Sequence, residues 1–183
     1  MDTINILSID PGTNMGVTVY TVTVPDLVIV NITTRVIDLS KFTIDDPFSK
    51  NLLLRIQIIQ NYIREIMYEF NPHILAMEAA FVNSRFPKSV MYLSQYIAAI
   101  ELTVTECNPF IRIFNYPPKK VKKIIGATGK GDKDAVANAI NRIPEITQYI
   151  NPLLVSEHEA DSIAIGYLTI LELRENPVLL LML

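Results

Sequence analysis

The chain opens with an apolar strand pattern, Ile4 to Ile9, that ends on a carboxylate, Asp10, and breaks at Pro11-Gly12. A carboxylate at the end of an otherwise buried strand is costly unless something positive lies beside it. The cheapest such partner for this strand end is a metal ion. Two more acids stand in similar settings. Glu78 closes the apolar run Ile74 to Met77, and Asp161 lies in His158-Glu159-Ala160-Asp161, just ahead of the apolar stretch Ser162 to Leu173. Hard carboxylate oxygens suit a divalent ion such as Mg²⁺, and one ion site would gather all three. Taken singly, each acid has a plainer reading: Asp10 as a turn residue before Pro-Gly, Glu78 as a paired strand-end acid, and Asp161 as a helix first-turn acid.

The first forty residues alternate apolar and polar and are rich in β-branched side chains, which predicts three consecutive strands over residues 5–9, 17–24 and 27–39, joined as antiparallel hairpins. From Ser49 to Phe70 the spacing turns helical, with Leu52, Ile56, Ile59, Ile63 and Ile66 in step until Asn71-Pro72. A strand over 73–77, a helix over 88–106 and a strand over 110–115 follow. Pro117-Pro118 opens a short basic helix to Ile125, a Gly-containing loop covers 126–131, a helix runs over 133–141, and a last one starts near Ser156. This order predicts an α/β fold with one central five-stranded mixed sheet, its first three strands antiparallel, flanked by helices. Length fits a single domain over 1–183. The apolar tail after Pro177 is expected to pack on the domain or to cover a partner subunit.

The net charge of −3 conceals an uneven distribution: residues 119–133 carry +5 and the remainder −8. A focused basic stripe on an acidic body steers a polyanion to one face. A solvated helix face is the alternative. The single Cys107 forms no internal disulfide, which fits a reducing compartment. The N-terminus lacks a basic region and cleavable apolar segment, and no run reaches the roughly 18 apolar residues that span a membrane. The expectation is a cytoplasmic protein with no membrane contact. Gly126-x-x-Gly129-Lys130-Gly131 lacks the spacing and the Ser or Thr of a phosphate-binding loop, so no nucleotide cofactor is expected.

Four features occur together in one order: Ile9-Asp10-Pro11-Gly12 with Gly16 downstream, Glu78 followed by Phe81, the lysine segment 119–133, and His158-x-x-Asp161 in an Ala-containing helix. In this combination the chain, over about residues 4–171, resembles the RuvC-type Holliday junction resolvases of the ribonuclease-H-like superfamily. A strand ending in Asp-x-Gly also occurs in sugar kinases and actin-like ATPases, whose second domain this chain is too short to hold.

The resemblance implies a ribonuclease-H-like fold and a metal site of Asp10, Glu78 and Asp161, with His158 in a fourth position that is aspartate in many relatives and histidine in some. Two Mg²⁺ ions about 4 Å apart then flank a scissile phosphate. Asp10 bridges them, Glu78 and Asp161 each hold one, and His158 completes a shell or orients the nucleophile. The imidazole makes Mn²⁺ an expected substitute.

Lys122 and Lys133 match family lysines that assist DNA binding and catalysis, and Lys133 is assigned to the developing phosphate charge. Lys119, Lys120, Lys123 and Lys130 are expected at the DNA backbone, with Arg85 and Lys88 as further contacts. Phe81 matches a family aromatic that meets DNA at the junction. The implied activity is resolution of four-way DNA junctions by paired symmetric nicks, leaving 5′-phosphate and 3′-hydroxyl ends, in recombination and repair. Two opposed cuts call for a homodimer, with Met91, Tyr92, Tyr96, Ile97 and Ile100 as its apolar face. Two alternatives stand beside this reading. One is another ribonuclease-H-like nuclease acting on other branched DNA, RNA·DNA hybrid or structured RNA, and the other is a module that binds branched DNA without cutting it.

Overall fold

The computed structural model describes residues 2–42, 50–80, 87–127 and 134–182. Three strands, β1 (Thr3–Asp10), β2 (Asn14–Thr23) and β3 (Ile29–Asp38), pair antiparallel in sequence. On its other edge β1 pairs parallel with β4 (Ile74–Glu78), which pairs parallel with β5 (Arg112–Tyr116). The sheet order is β3-β2-β1-β4-β5, the five-stranded mixed arrangement that the sequence predicts. Parallel neighbours require crossovers. Helix α1 (Lys50–Phe70) makes the first, from β3 to β4, and α2 (Pro87–Cys107) the second, from β4 to β5.

Strand alternation assigns the two faces. Leu7, Ile9, Val17, Val19, Leu75 and Met77 pack under α1 and α2, against Ile59, Ile63, Ile66, Tyr96, Ile100 and Val104. Ile4, Ile6, Tyr20, Val22, Ile74 and Ala76 point the other way, toward α6 (Glu157–Glu175) and the short helices α3 (Pro118–Ile124), α4 (Ala135–Ile140) and α5 (Pro144–Thr147). Helix α6 is buried on most sides between sheet and short helices, which is why its sequence shows no apolar stripe. Two hydrogen bonds fix its depth: the Tyr20 hydroxyl donates to the Ile163 carbonyl at 2.7 Å, and Thr18 and Ser162 share one, also at 2.7 Å.

Several boundaries differ from expectation for local reasons. Strand β3 begins at Ile29 rather than 27, because Leu27 takes a left-handed conformation (φ 54°) in the turn, where its N–H bonds the Thr23 carbonyl. It ends at Asp38, whose carboxylate accepts the Ser40 N–H and opens a 3₁₀ turn over Leu39–Lys41. Helix α5 was not anticipated, since four residues are too few to show a period. The helix expected over 133–141 is described from Ala135. The tail forms a 3₁₀ helix, Pro177–Met182, and Leu179 and Leu180 pack on the core, so these side chains serve the domain itself. The apolar face expected for dimerisation also needs correction. Tyr96 and Ile100 are buried under α1 and Ile97 is partly buried there, which leaves Met91 and Tyr92 exposed. Among the described residues, no helix is long and apolar enough to cross a membrane.

Candidate active site

Asp10 continues the β1 row Ile4, Ile6, Ser8, and Glu78 continues the β4 row Ile74, Ala76, so alternation aims both toward α6. Because β1 and β4 are parallel and in register at Ile9 and Met77, the two carboxylates stand side by side at the same strand ends. Strand ends of this kind are where open α/β sheets place their sites. The first turns of α6 face them. A reciprocal capping box starts this helix: the Ser156 N–H donates to the Glu159 carboxylate at 2.9 Å and the Glu159 N–H to the Ser156 hydroxyl at 3.3 Å. His158 and Asp161 follow on one helical face.

The approach of α6 to the sheet depends on Gly16, which pairs with Asp10 across β1 and β2. A Cβ at Gly16 would overlap the backbone carbonyl of His158. With hydrogen there instead, His158 comes close enough for its Nδ1–H to donate to Asp10 Oδ2 at 2.9 Å. That bond raises the His158 pKa by favouring its charged form, against partial burial.

All three acids are held toward their neutral forms. Burial chiefly raises Asp10, with the His158 hydrogen bond opposing it. Burial, then the charges of Asp10 and Asp161, push Glu78 up to about 7. Burial and the Asp10 charge push Asp161 up to about 6. The Lys122 charge lowers all three, so this lysine of α3 bears directly on the cluster. Glu157, which the sequence reading passed over, adds negative charge felt by Asp10, His158 and Asp161. Its signal was its position at the first residue of a capped helix, one place ahead of His158.

The donor set fits a divalent cation: three oxygen donors whose ionised forms are penalised by burial and mutual repulsion are what a cation relieves. Among the described residues no three such side chains stand close enough to cage an ion as they are, and Asp10, Glu78 and Asp161 would have to move inward to share one. The signs give a test. Acids with raised values stabilise the fold fully below their ordinary range, and lose that contribution as pH rises through about 6 for Asp161 and about 7 for Glu78. His158, also raised, acts in the same sense. In chelator, the melting temperature is expected to fall by several degrees between pH 5 and 8, Mn²⁺ or Mg²⁺ is expected to flatten that fall, and Glu78→Gln to reduce it. A flat profile in chelator would contradict the clustering.

The basic stripe divides. Lys119, Lys122 and Lys123 are exposed on α3, and Lys88 is exposed at the start of α2. Lys120 is exposed too, with 46% of its side chain accessible, but it is paired with the Glu172 carboxylate on α6 and lies 5.2 Å over the Tyr116 ring. Phe81, Arg85, Lys130 and Lys133 lie outside the described residues.

A family model for the crossover junction endodeoxyribonuclease RuvC matches residues 6–168. The chain belongs to the RuvC family. Curated RuvC relatives include the Orientia tsutsugamushi (strain Boryong) protein, 32% identical over 117 residues that cover 64% of this chain and 69% of that one. The Cytophaga hutchinsonii RuvC is 29% identical over 139 residues, 75% of this chain and 64% of that one. Among solved structures, Thermus thermophilus RuvC in complex with a Holliday junction substrate superposes with a TM-score of 0.71 at 19% identity, covering 94% and 97% of the two chains. The yeast mitochondrial Holliday junction resolvase Ydc2 gives 0.63 at 13% identity, covering 93% and 83%. Both share the RuvC fold of this chain, the ribonuclease-H-like mixed sheet expected from its sequence.

Proposed function

We propose that this chain is a metal-dependent, structure-selective endonuclease that resolves four-way DNA junctions by paired symmetric nicks, leaving 5′-phosphate and 3′-hydroxyl ends. The observation that carries it is the convergence of Asp10 and Glu78, at adjacent parallel strand ends, on His158 and Asp161 of α6 in a RuvC-family chain. Asp10, Glu78 and Asp161, with His158 beside Asp10, are the residues that would hold divalent ions, two Mg²⁺ per site with Mn²⁺ as substitute. Bound there, such ions would activate the attacking water and neutralise the leaving oxygen.

The side chains do the rest. Asp10 is held in orientation by the His158 Nδ1–H and keeps its Oδ1 free of that bond. Without a cation, burial and the neighbouring acids hold the protons of Glu78 and Asp161 up to about 7 and about 6, so a divalent ion would compete with those protons for the carboxylates. Lys122 supplies a fixed positive charge beside the scissile phosphate. Lys119 and Lys123 hold the DNA backbone without reading sequence, and Phe81, Lys130 and Lys133 keep the roles inferred for them from the family. The working unit is a homodimer, its two sites matching the two-fold symmetry of the junction. Its surface centres on Met91 and Tyr92, beside a 160 Å³ groove lined by Asn51, Leu52, Arg55, Tyr92 and Tyr96.

The test is a cleavage panel: an immobile four-way junction, a flap, a linear duplex and an RNA·DNA hybrid, each in Mg²⁺ and Mn²⁺. Paired, ligatable nicks on the junction are expected, giving way to single nicks on dilution below the dimer range. Preferential cutting of the hybrid would move the protein to another ribonuclease-H-like activity, and junction binding without nicks in either metal would leave a recognition module.

A further inference from the structure

Helix α3 has seven residues, too few to hold a helix by its own hydrogen bonds. Its buried anchor is Val121, and the lysines on either side of Val121 diverge by about 100° each way around the helix. Lys120 reaches the carboxylate of Glu172 and lies over Tyr116. Lys122, on the other side, is the lysine whose charge acts on Asp10, Glu78 and Asp161. Glu172 and Asp161 are eleven residues apart on α6, three turns and roughly 16 Å along one face. Helix α3 thus packs on α6 with Lys120 fastened at Glu172, and Lys122 leaves the helix on the other side of Val121, on the flank whose charge reaches the carboxylates.

Tyr116 ties the same assembly to the sheet. It is 3% exposed, sits opposite Glu78 in the β4–β5 register, and its carbonyl accepts the Ala79 N–H at 2.9 Å. Pro117, the next residue, caps α3. The strand end that bears Glu78, the start of α3 and the ring beneath Lys120 therefore meet at Tyr116.

We infer that Glu172, Lys120 and Tyr116 form a positioning clamp that holds α3 so that Lys122 faces the carboxylate site, and that Lys120 acts through these contacts within the chain rather than on DNA. The inference rests on the junction-cleavage reading for its consequence. Its geometry can be read without it.

The two roles of Lys120 separate in a double-mutant cycle of Lys120→Met, Glu172→Gln and the pair together, with Lys120→Arg as the conservative variant. Two readouts are taken: amide hydrogen exchange of residues 119–125, and kcat and KM on the four-way junction across a salt series. With a clamp, both single variants speed exchange in α3 by about tenfold while the sheet keeps its protection. Each lowers kcat by about tenfold, the lower end for losing an outer contact of a metal site. KM and the salt slope stay unchanged, the double variant is no worse than either single, and Lys120→Arg retains most of the rate.

With a DNA contact, Lys120→Met raises KM and flattens the salt dependence, while Glu172→Gln does neither harm. That pattern, unchanged exchange, or faster exchange with unchanged kcat would each overturn the clamp. A wild-type protein that leaves the junction uncut would overturn the activity reading, and with it the clamp's assigned role. The exchange data would then still say whether α3 is fastened at Lys120.

Discussion

Asp10→Asn is expected to abolish junction nicking, with a loss of at least about 1000-fold in kcat, roughly 4 kcal/mol of transition-state stabilisation. The substitution keeps the shape of the side chain and an oxygen to accept the His158 Nδ1–H, so the contact that seats α6 against β1 survives. What it removes is the charge at the centre of the site. Asp10 is the acid that bears on both Glu78 and Asp161, and its side chain is 15% exposed. Relieving a buried charge costs the metal-free fold nothing, and the variant is expected to melt at or above the wild-type temperature in chelator. The stabilisation that wild type gains from Mn²⁺ is expected to disappear. Nicking within tenfold of wild type would show that Asp10 is not at the reaction centre.

Gly16→Ala carries the largest expected effect on the fold. A methyl at this position would overlap the His158 carbonyl and crowd the Glu159 nitrogen, and both neighbours are backbone of the first turn of α6, where the capping box holds the Glu159 N–H. Neither can rotate away, so the whole start of α6 must lift from β2. The expected destabilisation is about 3 kcal/mol, at the upper end for forcing an extra carbon into a packed interior. For a chain of this length that is roughly 6 to 12 °C in melting temperature. Nicking is expected to fall further than stability, because the displacement separates His158 and Asp161 from Asp10 and Glu78. A variant that melts and cuts like wild type would mean that the close approach at Gly16 is not required.

Much of this was legible along the sequence. The acids at the ends of two apolar strands mark their own positions, since a period of two fixes which face each occupies once Ile6 and Ala76 are known to lie on the α6 side. The long period of α1 and the Asn71-Pro72 stop were equally plain. Other parts are invisible to a local pattern. Nothing near Lys120 announces Glu172, because the partner is fixed by how α3 lies on α6, and the stripe reads as six equivalent lysines. The interface expected on α2 mistook Tyr96 and Ile100 for free surface, since one helix face packed on α1 and one facing solvent look alike in apolar content. Ser156-x-x-Glu159 was readable as a capping box. Gly16 shows its purpose only when the opposing carbonyl is in place.

The hydrogen bond between Asp10 and His158 joins residues 148 positions apart. On a translating ribosome the first strand leaves the tunnel long before the helix that completes its site. Until α6 is made the chain has at most two of its three acids and no assembled centre, so a product truncated before α6 lacks the site. The centre is complete only once α6 brings His158 to Asp10, with Asp161 on the same helical face.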